Sequence, residues 1–246
     1  MGDIEKRDPW LALSRLTAAR IALGRAGGSV RTDTLLDFRL AHARAKDAVG
    51  LPFDAQTLTE RLAAAQLETF SLETQAVDRR TFLARPDLGR ALRAESRARL
   101  DAARQDWGDR DLCLVVSDGL SALAAERQLV PFLTAFVPLL TGSVTHYPVF
   151  IAPFARVKLA DEVGELLGAR FSLILLGERP GLSSPDSLGA YLTYQPGFAR
   201  TDADRNCVSN IRAEGLPCVD AARNVAELLR ESKRLRASGV ALKLNA

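Results

Sequence analysis

The apolar positions of this chain repeat with two different periods, and the change falls near its middle. From about residue 10 to residue 107 the spacing is helical. Leu13, Leu16 and Leu23 recur at near-helical spacing, and Gly27-Gly28 predicts a stop. Thr32 predicts an N-cap. Behind it Leu35, Phe38, His42, Ala45 and Val49 fall on one stripe of a helix that ends at Leu51-Pro52. A further helical stretch covers residues 56–67. The segment RPDLG at 85–89 reads as a turn into an arginine-rich helix running from near Leu88 to about Arg104.

After residue 107 the pattern shortens. Residues 112–116 form an apolar run that ends at Ser117-Asp118-Gly119, the mark of a buried strand and a tight turn. A helical stretch follows and is expected to break near Pro131. Residues 147–151, 171–176 and 188–194 predict three more strands. Residues 157–167 predict a helix with Val163, Leu166 and Leu167 on one side. A last long helix runs from Pro217, a good first-turn residue, to about Ala237, with Gly239 as its stop. Strands alternating with helices predict an open parallel α/β sheet.

Composition narrows the function. With 246 residues, 47% hydrophobic and 26% charged, the chain is an ordinary globular protein. The net charge is +3 and acidic residues are mixed with basic ones throughout, so no nucleic-acid footprint is expected. No apolar run is read as approaching the roughly 20 residues that span a bilayer. Residues 1–9 are charged and lack a signal-peptide core, which predicts a cytoplasmic protein. The three cysteines, Cys113, Cys207 and Cys218, form no CxxC pair and are expected to be free thiols. His42 and His146 are too few for a histidine-rich metal site.

Ligands of open α/β sheets bind outside the carboxyl ends of the strands, and two such ends carry an acid beside glycine. One is SDGLS at 117–121, with Asp118. The other is GERPGLSSPD at 177–186, with Glu178. Glycine lets a backbone approach a ligand, proline stiffens the loop, and Ser183 and Ser184 add hydroxyls. The second loop suits a large ligand with many amides, or it simply turns the chain with Glu178 and Arg179 in water. Dinucleotide and P-loop fingerprints are absent, and so is the G-x-S-x-G elbow. Ser117, His146 and Asp118 could form a triad only if folding joined them. His42, on an apolar stripe, reads as a packed residue. A lone Cys207 reads as a small hydrophobe sooner than as a metal ligand.

Several blocks, in order along nearly the whole chain, resemble one family. They are GRAG at 24–27 with the His42 helix, RPDLGR at 85–90, VVSDGLS at 115–121, RVKLADEVGELLGA at 156–169, LGERPGL at 176–182 followed by Ser187, Leu188 and Tyr191, and ADRNCVSNI at 203–211. Together they resemble the small (light) subunit of ethanolamine ammonia-lyase. The resemblance implies conversion of ethanolamine to acetaldehyde and ammonia with adenosylcobalamin, whose cobalt–carbon bond breaks homolytically to start radical chemistry. It implies that the substrate sits in a barrel of the large subunit, so no catalytic residue is expected here. It also implies a hetero-oligomer in which this chain packs on the corrin side. The family's cobalamin-contacting positions fall on Val157, Glu178 and Cys207. Asp118 is a secondary candidate. Glu178 would accept hydrogen bonds from corrin amides, and Val157 and Cys207 would make backbone or packing contacts, without ligation of cobalt by Cys207. The D-x-H-x-x-G motif is missing, which implies a base-on cofactor. Some family members carry a long N-terminal extension linked to bacterial microcompartments; none is seen here, and encapsulation is not expected.

The expected architecture is therefore α/β: an all-helical N-terminal domain over 1–107, then a Rossmann-like, open parallel sheet domain over 108–246. The competing reading is a stand-alone α/β enzyme that acts on a phosphorylated small molecule through Asp118 and Glu178. A third is a degenerate subunit that only stabilises its partner.

Overall fold

A six-stranded sheet forms the centre of the computed structural model, which describes residues 10–17 and 19–242. The charged segment 1–9 lies outside the described residues. The chain opens with a short hairpin, β1 (Arg25–Ala26) and β2 (Ser29–Val30), followed by α1 (Thr32–Gly50) and α2 (Ala55–Ala64). Next come β3 (Thr69–Ser71), α3 (Arg79–Ala84) and α4 (Ala94–Trp107). The second half holds β4 (Leu112–Ser117), α5 (Ala122–Phe136), β5 (His146–Ile151), α6 (Leu159–Leu167) and β6 (Phe171–Gly177). It closes with β7 (Leu188–Tyr194), β8 (Arg205–Ile211) and α7 (Cys218–Leu235).

The sheet order is β3-β5-β4-β6-β7-β8. The first four strands of that order run parallel, and β7 pairs antiparallel with both β6 and β8. The expected open parallel sheet is thus found as a mixed, mostly parallel one. The physical reason is the connection 178–187, which carries no helix. A parallel neighbour needs a long crossover, and without one the chain must turn straight back. β4 and β6 are buried along their whole length, which is why they read as continuous apolar runs.

Each face of the sheet has its own core. On one side α5 and α7 bury Leu129, Phe132, Leu133, Phe136, Val225 and Leu229. On the other, α4 and α6 bury Leu100, Leu159, Val163 and Leu167. The stretch Ala122–Leu140 is, at 19 residues, long and apolar enough to cross a membrane, contrary to the sequence reading. Within it Leu129, Phe132, Leu133, Phe136 and Leu140 are buried in the core, while Leu139 is exposed. The helix also continues through Pro131 without the expected break, held by its packing on the sheet and on α7.

The N-terminal half departs most from expectation. It is not helical throughout, since β3 lies at the edge of the main sheet beside β5, and β1–β2 form a hairpin. Gly27-Gly28 is the two-residue loop of that hairpin, with Gly27 at φ +63°, and not a helix stop. Among the described residues no α-helix precedes α1. Within α1 the buried positions are Ala41 and Ala48, so the stripe through Leu35 and Phe38 faces out. His42 is exposed as well and stacks on Phe38 at 6.3 Å between ring centres. Leu88–Arg90 forms only a 3-10 turn; α4 starts at Ala94, because a bridge from Leu92 to Thr74 holds the chain extended between them. α7 ends at Arg236, at φ +52°, ahead of Gly239.

Candidate functional site

β4 and β6 are neighbours, so their carboxyl ends bring the Asp118 and Glu178 loops side by side. The two loops interlock. The Leu120 N–H donates to the Gly177 carbonyl at 2.8 Å. A side chain on Gly119, at φ +52°, would meet that same carbonyl at 2.4 Å, and one on Gly177 would meet the Ser121 carbonyl at 2.1 Å. Only glycine fits this crossing.

Asp118 is fully engaged. It is 1% exposed. Its Oδ1 accepts from the Phe154 N–H at 2.7 Å and the Ser117 hydroxyl at 3.1 Å, and its Oδ2 accepts from Arg79 at 2.9 Å. Burial pushes its carboxyl up, and the Phe154 N–H and the Arg79 charge oppose that. Arg79 also donates to the carbonyls of Val49, Gly119 and Leu120, so this pair ties α1, α3 and the β4–α5 turn together. Ser117 likewise serves the backbone, accepting from the Ala155 N–H at 3.0 Å. The triad is not formed. His146 pairs with Leu112 at the start of β4, whereas Ser117 ends that strand. Five residues of strand separate them by about 16 Å.

Glu178 is placed differently. Its Oε2 accepts from the Ser187 hydroxyl and from the Asn210 N–H at 3.2 Å. Its Oε1 takes no hydrogen bond among the described residues. Gly189 makes room for it: a Cβ there would meet Tyr191 Cε2 at 2.9 Å and Glu178 Oε1 at 3.0 Å. The carboxylate is thus held by one oxygen and open at the other. The rest of the loop is pinned. Asp186 accepts from Arg127 at 2.9 Å and Arg212 at 3.1 Å, and Ser121 donates to the Pro185 carbonyl at 2.8 Å. Burial works to raise Asp186, but the two guanidiniums bring it below the usual carboxylate value.

Cys207 stands directly opposite Tyr191 in the β7–β8 register. Arg205 and Cys207, two apart on β8, share a sheet face. Arg205 pairs with Asp161 of α6, which identifies that face as the one α6 covers. α6 packs on β4 and β6, and Cys207 is left exposed. Burial of the sulfur raises the Cys207 thiol, the Glu178 charge adds to this, and the Tyr191 hydroxyl opposes it. Burial raises Tyr191 too, helped by the charges of Cys207 and Glu178. Both groups are therefore neutral at physiological pH, which disfavours thiolate ligation of a metal. No cluster able to hold a metal ion exists among the described residues.

Val157 lies just before α6 and packs, like Tyr191, against the core on that side. Among the described residues the N–H groups of Val157 and Lys158 make no hydrogen bond, as expected at a helix start. Glu178 and Cys207 thus lie near Tyr191, Val157 packs against the core on that same side, and the Asp118 carboxylate is turned into the scaffold. In the sequence Tyr191, Ser187, Asn210 and Arg205 stand out only as parts of the family blocks. Recognising β8 as a strand would have put Arg205 and Cys207 on one face.

Comparison with known proteins relates the sequence to ethanolamine ammonia-lyase small subunits. The profile of the ethanolamine ammonia-lyase light chain (EutC) matches residues 7–243. An ethanolamine ammonia-lyase small subunit of Pseudomonas fluorescens is 51% identical over 241 residues, covering 97% of this chain and 88% of the relative. One from Azotobacter vinelandii is 51% identical over 242 residues, covering 96% and 88%. One from Pseudomonas syringae pv. tomato is 52% identical over 238 residues, covering 96% and 83%. With the profile spanning nearly every residue and identity above half, this chain belongs to the ethanolamine ammonia-lyase light chain family.

Proposed function

We propose that this chain is the small subunit of an adenosylcobalamin-dependent ethanolamine ammonia-lyase, and that it contributes one side of the cobalamin site where it meets a larger catalytic subunit. The observation that carries the reading is the half-free carboxylate of Glu178. A corrin ring is rimmed with amides whose N–H groups need acceptors, and Oε1 offers a charged one. The residues fit such a group in three further ways. Gly189 leaves space beside Glu178. The Val157 N–H has no partner, so it suits a backbone contact. Cys207 and Tyr191 present neutral, weakly polar surface for packing. When bound, the cofactor supplies radical chemistry from its cobalt–carbon bond. This chain's residues hold and orient it and keep water from one side. Neither histidine stands among them, which supports a base-on cofactor. The bacterial source of the relatives is consistent with a cytoplasmic setting.

The test is co-expression with the large subunit, followed by assay of ammonia release with and without adenosylcobalamin. The assembled pair should release ammonia only with the cofactor. The small chain alone should show no turnover and only weak cobalamin binding, because its contacts lie on one side of a large molecule. Turnover by the single chain would refute the reading and favour the stand-alone enzyme.

The outward face of α1 supports the partner. Leu35 and Phe38, one turn apart, are 39% and 43% exposed, and Leu36 and Leu40 on the adjoining stripe are 57% and 51% exposed. Apolar surface gathered in this way marks a protein interface. Covering such side chains contributes roughly 1.5–3 kcal/mol for each large one. Hydrogen exchange over 32–50 should therefore slow on assembly. Unchanged exchange in the complex would place the interface elsewhere.

A further inference from the structure

Beside Val157, between the start of α6 and the turn that enters β8, lies a cavity of about 360 Å³ whose walls carry Arg90, Arg156, Lys158, Arg200 and Arg205. Five cations meet there, and the lining holds a single carboxylate, Asp202, which pairs with Arg205 at 3.1 Å. The deepest of them is Arg205. Its side chain is 4% exposed, it is paired with Asp161 behind it, and its Nε is buried without an acceptor. The Arg156 Nε is buried and unsatisfied in the same way. Buried polar atoms without partners are rare, and Oδ1 of the Asp161 carboxylate behind Arg205 is another among the described residues.

Of the other cations Arg200 pairs with Asp204 at 3.5 Å, and the remaining three have no carboxylate partner among the described residues. Lys158 donates only to the carbonyls of Phe198 at 2.9 Å and Arg200 at 2.8 Å. Arg90 has no side-chain hydrogen bond or ion pair among the described residues. Arg156 lies over the Phe82 ring at 4.0 Å, and its guanidinium is held below its usual value by burial and by the charges of Arg79, Arg90 and Arg179. The unpaired N–H groups of Val157 and Lys158 add the positive end of α6. A rim of guanidiniums, an ammonium and helix-start N–H groups is the chemistry that binds a tetrahedral oxyanion.

We propose that this cavity is a phosphate subsite. Two sources could supply the phosphate: the phosphodiester in the nucleotide loop of cobalamin, or free inorganic phosphate. We infer the phosphodiester, because Val157 belongs both to this cavity and to the proposed corrin side. That assignment rests on the cofactor reading above, whereas phosphate binding itself does not.

The experiment uses the assembled two-subunit enzyme and equilibrium dialysis. Three ligands are compared: cobalamin, cobinamide (which keeps the corrin amides and lacks the phosphate and nucleotide) and labelled inorganic phosphate. Each is measured on wild type, Arg90→Gln and Arg90→Lys. Arg90 is exposed, so these variants should fold. Arg90→Gln should weaken cobalamin about tenfold, the effect of one charge-assisted hydrogen bond, and leave cobinamide unchanged. Arg90→Lys should recover most of the loss. If Arg90→Gln abolishes phosphate binding but leaves cobalamin affinity intact, the subsite stands and takes free phosphate, and the phosphodiester assignment is overturned. Equal weakening of cobalamin and cobinamide, or no change for any ligand, would overturn the subsite. Binding of phosphate with no binding of either corrinoid would overturn the cofactor reading and leave the subsite in place.

Discussion

Replacing Asp118 with alanine should destabilise the fold by about 3 kcal/mol, the lower end of the cost of breaking a buried ion pair. The Asp118 side chain is 2% exposed and that of Arg79 21%, so water screens the pair little. Removing the carboxylate strands two kinds of donor. The Phe154 N–H loses its acceptor, and the Arg79 guanidinium, which also holds the carbonyls of Val49, Gly119 and Leu120, loses its counter-charge. The melting temperature of the variant should fall by about 6–12 °C for a chain of this size. Asp118→Asn keeps an acceptor for Phe154 and loses only the charge, so its melting temperature should fall less. Both should retain cofactor-dependent ammonia release once assembled. A variant that melts like wild type and has lost all turnover would return Asp118 to the chemistry, as the stand-alone enzyme reading requires.

Glu178→Gln should weaken adenosylcobalamin binding by one to two decades while turnover at saturating cofactor changes far less. The size of the effect follows from hydrogen bonds to a charged group, worth about 1.5–3 kcal/mol. Its direction follows from the local donors. The Ser187 hydroxyl and the Asn210 N–H both point at one side-chain oxygen. In the glutamine variant they should hold the amide with its oxygen toward them. The amide NH2 then stands where Oε1 stood, and it faces the donor amides of the ligand instead of accepting from them. Titrating the cofactor into wild-type and variant complexes gives both constants. An unchanged affinity in a correctly assembled complex would remove Glu178 from the site. A collapse of turnover at full occupancy would put it nearer the reacting atoms than we propose.

The two experiments separate acids that look alike in sequence. Each follows an apolar strand and has a glycine beside it. Asp118 sits one residue past β4 and is captured by Arg79, 39 residues upstream in the chain. Glu178 sits one residue past β6 and is met by Ser187 and Asn210 on one oxygen only. No local pattern distinguishes the two, because what differs is which distant donors arrive.

Wherever an element's own residues supply its reason to form, the sequence was sufficient. β4, β5, β6 and β7 were legible within a residue, since strands with buried faces must be apolar. α7 was legible because its apolar face and the proline before it are local features. The blocks around Val157, Glu178 and Cys207 were specific enough together to identify the family before any geometry was known. Tertiary structure decided the rest. β8 escaped notice because only Ile211 along it is fully buried and its exposed positions include Cys207, Ser209 and Asn210. It is a strand because β7 offers it a hydrogen-bonding edge. β3 has only three residues, too few for any period, and exists because β5 has a free side. α1 shows the limit from the other direction. Its larger apolar residues face outward and only Ala41 and Ala48 are buried, since periodicity reveals that a helix has an apolar face but not which surface covers it. Strand pairing, ion-pair choice and the direction of an apolar stripe are all fixed by groups far away in sequence, and those come together only in the folded chain.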